Sequence, residues 1–87
     1  MHESSLTDSL VRAALDLARA EGARRIAAVR VRIGALAQIS PAHLREHFEH
    51  SALGTIAEGA QLLVRVADDI DDPNAQGVVL EGVSIES

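Results

Sequence analysis

Apolar residues recur along this chain with two different periods, and the alternation between them predicts its elements. Over 4–21, Leu6, Leu10, Ala13, Ala14, Leu17 and Ala18 fall at helical spacing while Asp8, Arg12, Asp16 and Arg19 lie mostly elsewhere, the pattern of an amphipathic helix. Ser4 or Ser5 is placed to cap it. Asp8 stands four residues before Arg12 and Asp16 three before Arg19, spacings that pair charges on a helix. Gly22 stops it. Over 25–33 the period drops to two. Ala27, Val29, Val31 and Ile33 share one face and Arg30 and Arg32 the other, which predicts a half-buried strand with an arginine-lined outer side. Gly34 closes that strand and 35–40 is loop.

Ser40-Pro41 opens a second helix, Ser40 as cap and Pro41 in the first helical position. Leu44, Phe48 and Ala52 form its apolar stripe and Gly54 ends it. Residues 61–67 read as a strand with Leu62, Val64 and Val66 inward and Arg65 outward. Residues 78–86 read as a third, whose alternation falters at Gly82, as at a bulge or a close approach. The polar stretch DDIDDPNAQG at 68–77 reads as a turn too short for a crossover, so the last two strands are expected to pair as an antiparallel hairpin. The order α-β-α-β-β predicts an α+β fold in two layers, two helices on one face of a three-stranded sheet. Arg30, Arg32, Arg65, Glu81 and Glu86 would make the open face a mixed-charge surface. The whole chain, 1–87, reads as one domain.

Composition narrows the function. With one Phe and no Tyr or Trp among 87 residues, the core is built from Ala, Val, Leu and Ile. The net charge is −5 and every basic residue is Arg. An acidic chain without stacking platforms is not expected to bind nucleic acid. No apolar run approaches the roughly 20 residues that span a bilayer, and 1–9 does not read as a signal peptide, so no membrane role is expected and the expected compartment is the cytoplasm. The absence of cysteine excludes disulfides, thiolate metal sites and thiol chemistry. No nucleophile triad, paired carboxylates or phosphate-binding loop is apparent, and 54–59 lacks the Lys-Ser/Thr that would follow the second glycine of a P-loop. The chain is not expected to be an enzyme.

The chemistry the sequence does offer is metal binding. In Met1-His2-Glu3 the α-amine of Met1, the amide nitrogen and imidazole of His2, and the amide nitrogen of Glu3 can close around one ion. Four nitrogens in a plane suit Ni(II) or Cu(II). The amine and the His2 amide close a five-membered chelate ring; Nδ1 of His2 and that amide close a six-membered one. A frayed terminus that binds nothing is the plain alternative. His43, His47 and His50, at i, i+4 and i+7 of the second helix, fall within roughly 60° of one another and form an auxiliary candidate, set against a polar flank beside the Leu44/Phe48 stripe. Asp68, Asp69, Asp71 and Asp72 lack the spacing of a calcium loop and read as a solvated turn.

Several segments together are similar to one family. The start MHESSL, the block VRVRIGALAQISPAHLREHFE, the segment GTIAEGAQLLV and the terminal SIE resemble the HypA/HybF nickel metallochaperones of hydrogenase maturation. Gly34, Leu36, Pro41, Leu44, Phe48, Glu49, Gly54, Thr55, Glu58, Gly59 and Ala60 carry the match. The resemblance implies an α-β-α-β-β nickel-binding domain, with nickel held by His2 and by main-chain nitrogens of Met1 and Glu3. It implies passage of the metal to the NiFe-hydrogenase large-subunit precursor, with a HypB-type GTPase as partner; some members also serve urease. The family's zinc subdomain, built on two C-x-x-C motifs between the last two strands, has no counterpart at 68–77, and no zinc is expected at a Cys site. A metal-free interaction or scaffold module of the same fold is the rival reading. Exposed Arg12, Asp16 and Arg19 would offer the GTPase a docking surface. The third strand, at the C-terminal end, leaves a strand-exchanged homodimer open.

Overall fold

The computed structural model describes the backbone from Glu3 to Ser87 and the side chains from Ser5 onward. The elements follow the expected order: α1 (Glu3–Ala20), β1 (Arg25–Ile33), α2 (Pro41–Ala52), β2 (Gln61–Val66) and β3 (Val78–Glu86). The fold is α+β, with α1 packed against α2 and β3, and α2 also against β2. Phe48, Leu44, Ile26, Ile33, Val29 and Val31 are fully buried at the centre.

Two helical details differ from expectation. The backbone is already helical at Glu3, so Ser4 and Ser5 lie inside the first turn rather than capping it. The buried stripe is Thr7, Leu10, Val11, Ala14 and Ala18, while Leu17 is 43% exposed and Ala13 is also exposed. Both sets have helical spacing. The arc chosen is the one that meets the sheet and α2 at once, and it includes Thr7, which composition alone places outside a core.

The sheet corrects the hairpin. Its order is β2-β1-β3. β2 runs parallel to β1, and β3 pairs antiparallel with β1 on the other side. The last two strands are antiparallel in direction but are not neighbours. A crossover of a dozen residues is needed only to return a chain to the same end of a sheet. Here the chain leaves and re-enters at one end, stepping over a single strand, a span of about 10 Å. Residues 67–77 are that strap. Ala67 N donates to Ile33 O at 2.9 Å, Gly34 N to Gly77 O at 2.8 Å, and Leu36 N to Ala75 O at 2.7 Å. Ala75, within the strap, is buried. Gly34 must be glycine because a Cβ there would collide with the Ala75 carbonyl.

Bulges reset the strand phases. Ala27 is an extra residue of β1 between Ile26↔Ile85 and Ala28↔Ser84, which buries Ile26 and leaves Ala27 exposed, not facing the core as the alternation suggested. Glu81 is the extra residue of β3, between Arg30↔Gly82 and Val31↔Leu80. The faltering pattern at Gly82 thus marks a real bulge. It is also a close approach, since a Cβ on Gly82 would stand 2.5 Å from the Arg30 guanidinium. In β2, Leu62 is buried and Val64 partly so, but Val66 is 59% exposed. It sits at the outer corner of an edge strand rather than over the core.

Candidate metal centre

The topology brings the two helix beginnings to one end of the molecule. α1 is followed by β1 and α2 by β2, each through a short connection, and these strands are parallel. The helices therefore run side by side in the same direction. Their C-terminal ends meet the start of β1, where Ile26 N donates to Ile56 O at 2.9 Å. One direct bond fixes their level: Ser51 Oγ donates to Asp8 Oδ1 at 2.7 Å. Asp8 is thus engaged with α2, a contact that the expected pairing with Arg12 did not foresee.

Met1 and His2 lie outside the described residues, as does the Glu3 side chain, so the N-terminal donor set is located only through the backbone that follows it. Glu3 opens α1. The first N–H groups of a helix have no intrahelical acceptor, so the Glu3 amide can be given to a metal without cost to the helix. The positive end of the helix dipole also favours loss of an amide proton there. The donor chemistry fits a square-planar d8 ion.

α2 begins cleanly. Ser40 is extended, with φ −84° and ψ 154°, its Oγ accepts from His43 N at 3.1 Å, and Pro41 occupies the first helical turn. His43 and His50 are exposed and His47 is half-buried. Among the described residues no group of three or more His, Cys, Asp or Glu side chains is arranged to hold a metal ion, so His43, His47 and His50 are not brought together as a triad. His43 and His47 instead share the four-residue stripe of Ser51, the side of α2 that faces α1. Sequence reasoning missed that placement, though the spacing 43–47–51 carries it.

The other candidates resolve as architecture. Asp69 accepts from Asp71 N and Asp72 from Asn74 N. Asp72 also pairs with Arg32 at 3.5 Å, so this aspartate holds the strap rather than decorating a turn. On the open face Glu81 Oε2 accepts from Arg65 at 2.7 Å and from Arg32 at 3.3 Å, the expected mixed-charge surface. The hydrogen bond from Arg65, reinforced by the charges of Arg65, Arg32 and Arg30, holds the Glu81 carboxyl below the usual range despite some desolvation. Glu58 caps the turn after α2, accepting from Gly54 N at 2.7 Å. Thr55 Oγ1 accepts from Ala57 N and donates to Ala52 O. Gly54 and Gly59 take positive φ at either end. Arg12, Asp16 and Arg19 are exposed on α1.

Comparison with known proteins shows the family. The family described as "Hydrogenase/urease nickel incorporation, metallochaperone, hypA" matches residues 1–69. The chain belongs to the HypA family. The hydrogenase maturation factor HypA of Chlorobium limicola is 52% identical over 62 residues, 71% of this chain and 53% of that protein. The HypA of Thermococcus gammatolerans is 44% identical over 63 residues, 72% of this chain and 45% of that protein. The chain thus spans about half the length of these curated relatives. The solution structure of the Ni metallochaperone HypA from Helicobacter pylori superposes with a TM-score of 0.82, covering 100% of this chain and 99% of that one at 16% identity. At that identity it speaks for the fold. With no cysteine, this chain has no thiolates for a Cys-based zinc site, and the strap occupies the place between β2 and β3. No described helix is long and apolar enough to cross a membrane.

Proposed function

We propose that the chain is a cytoplasmic nickel carrier, not a catalyst, that binds one Ni(II) through Met1, His2 and Glu3 and delivers it during NiFe-hydrogenase maturation. The observation that carries this reading is the family match, which spans residues 1–69 and so includes the donor segment and both helices. Three kinds of nitrogen, amine, amide and imidazole, select Ni(II) over Zn(II), which gains nothing from a planar field. All must be free of protons to bind, so affinity falls in acid. A donor set at a chain end is readily reached by an acceptor. The recipients proposed are the hydrogenase large-subunit precursor and a HypB-type GTPase, the latter docking on Arg12, Asp16 and Arg19. Reversing the charges of Arg12 and Arg19 should weaken that association; unchanged affinity removes this surface.

The test of the carrier role is His2→Ala as the only copy in cells. Nickel incorporation into hydrogenase should fall to the level of cells lacking the protein. Full incorporation overturns the reading. A second reading, a metal-free interaction module for the maturation machinery, is favoured by the missing cysteines. It predicts that His2→Ala is tolerated while α1 charge reversals are not.

A further inference from the structure

We propose that α1 is the interface of an antiparallel homodimer, in which the charged stripe Asp8, Arg12, Asp16 and Arg19 of one copy meets the same stripe of a second. No residue of the nickel-donor segment enters it.

The four charges alternate in sign along one side of the helix. At about 100° per residue they fall within roughly 80° of one another, on the side away from the buried Leu10, Ala14 and Ala18. All four residues are exposed. With half-buried Leu15 and with Ser51 of α2 they line one open groove along α1. Neither pairing that the spacing within α1 suggests, Asp8 with Arg12 or Asp16 with Arg19, forms an ion pair among the described residues. The ion pairs present link the strands of the sheet to one another and to the strap. The charges of α1 are therefore left for a partner.

Their order selects that partner. A row reading minus, plus, minus, plus cannot lie on a parallel copy of itself, because each charge would meet its like. Turned antiparallel, it is its own complement. Asp8 meets the partner's Arg19, Arg12 meets the partner's Asp16, and the other two contacts follow by symmetry. One two-fold axis serves all four contacts only if they share a midpoint. The midpoint of residues 8 and 19 and that of residues 12 and 16 differ by half a residue, about 0.8 Å of helical rise. Leu15 stands less than half a turn from that midpoint, so it approaches its own copy across the axis at the usual helix separation of about 8–10 Å. This gives the interface an apolar centre between charged ends. Ser51 engages only Oδ1 of Asp8, which leaves Oδ2 for the arginine.

Exposed ion pairs are individually weak and are screened by salt, so the dimer belongs to high chain concentration and low ionic strength. The same stripe is the docking surface proposed for the GTPase, so dimer and GTPase complex exclude one another. That consequence rests on the GTPase reading; the dimer does not.

The experiment is sedimentation velocity of the untagged chain at low salt, from micromolar to millimolar concentration, beside Arg12→Asp and Asp16→Arg, each alone and the two mixed, with circular dichroism to confirm folding. Wild type should show a monomer–dimer equilibrium that added salt weakens. Each variant alone sets like charges against each other twice per dimer, and its association constant should fall more than about tenfold. Mixed, the two variants should associate as well as wild type, because the new carboxylate of one faces the new guanidinium of the other. Wild type that stays monomeric throughout overturns the proposal; if Arg12→Asp then still loses GTPase association, the stripe serves the GTPase alone. Variants that dimerise as wild type does also overturn it, as exchange of β3 between copies would produce. So does a mixture of the two folded variants that stays monomeric.

Discussion

The turn after α2 and the N-terminal end of the helices both lie within the family match, and they are built on different principles. In the turn, the Thr55 and Glu58 side chains both bond within the fold. Glu58 accepts from Gly54 N, Thr55 bonds both Ala52 O and Ala57 N, and Arg25 donates to Glu58 O at 3.0 Å. At the helix beginnings, by contrast, the Glu3 amide belongs to the helical turn that lacks internal acceptors, and the donors of Met1-His2 precede it. Motif residues of the first kind are explained by architecture. For those of the second kind, which lie outside the described residues, the proposed account is a chemical one. The difference teaches that motif residues with partners inside the fold are accounted for by architecture before any functional role is proposed for them.

Substitutions sharpen this contrast. Phe48→Ala empties the centre of the core and should cost about 3–5 kcal/mol in denaturant unfolding, whatever metal is present. Gly34→Ala forces the strap off the end of β1 and should cost about 1–3 kcal/mol, read as a lower melting temperature. Glu58→Ala removes the cap of the Gly54 amide and should cost about 1 kcal/mol, with nickel stoichiometry unchanged. A large nickel effect from Glu58→Ala would break the division between the two regions. The smallest effect belongs to Glu81. Its carboxyl titrates below the usual range because Arg65 and its neighbours favour the charged form. The stability this gives is present at neutral pH and is lost as pH falls through that lowered value. Glu81→Gln should remove this part of the acid sensitivity, and added salt should mimic it. An unchanged melting curve against pH would contradict the pairing.

Much of this fold is legible in the chain. The borders of β1 and β3 and the start of α2 follow from alternation and from Ser40-Pro41, because those signals are local. The pairing of β2 is not legible in the same way. Whether the 67–77 strap turns back beside β2 or steps over β1 depends on Gly34 meeting Ala75, a contact between residues far apart in sequence. The phase of β1 was hidden for a related reason, since the Ala27 bulge exists only against β3. In the candidate site, the donor chemistry of Met1-His2-Glu3 is readable from atoms alone. The facing of His47 toward α1 required knowing that the two helices run in the same direction.

The central claim is that nickel is held by the chain's own first residues. Calorimetric titration of Ni(II) into untagged protein, beside His2→Ala and protein acetylated at the α-amine of Met1, tests it most directly. The account predicts one nickel per chain in wild type and none in either altered protein, with folding intact. Nickel binding that survives acetylation would contradict it, because an acetylated nitrogen is no longer an amine donor.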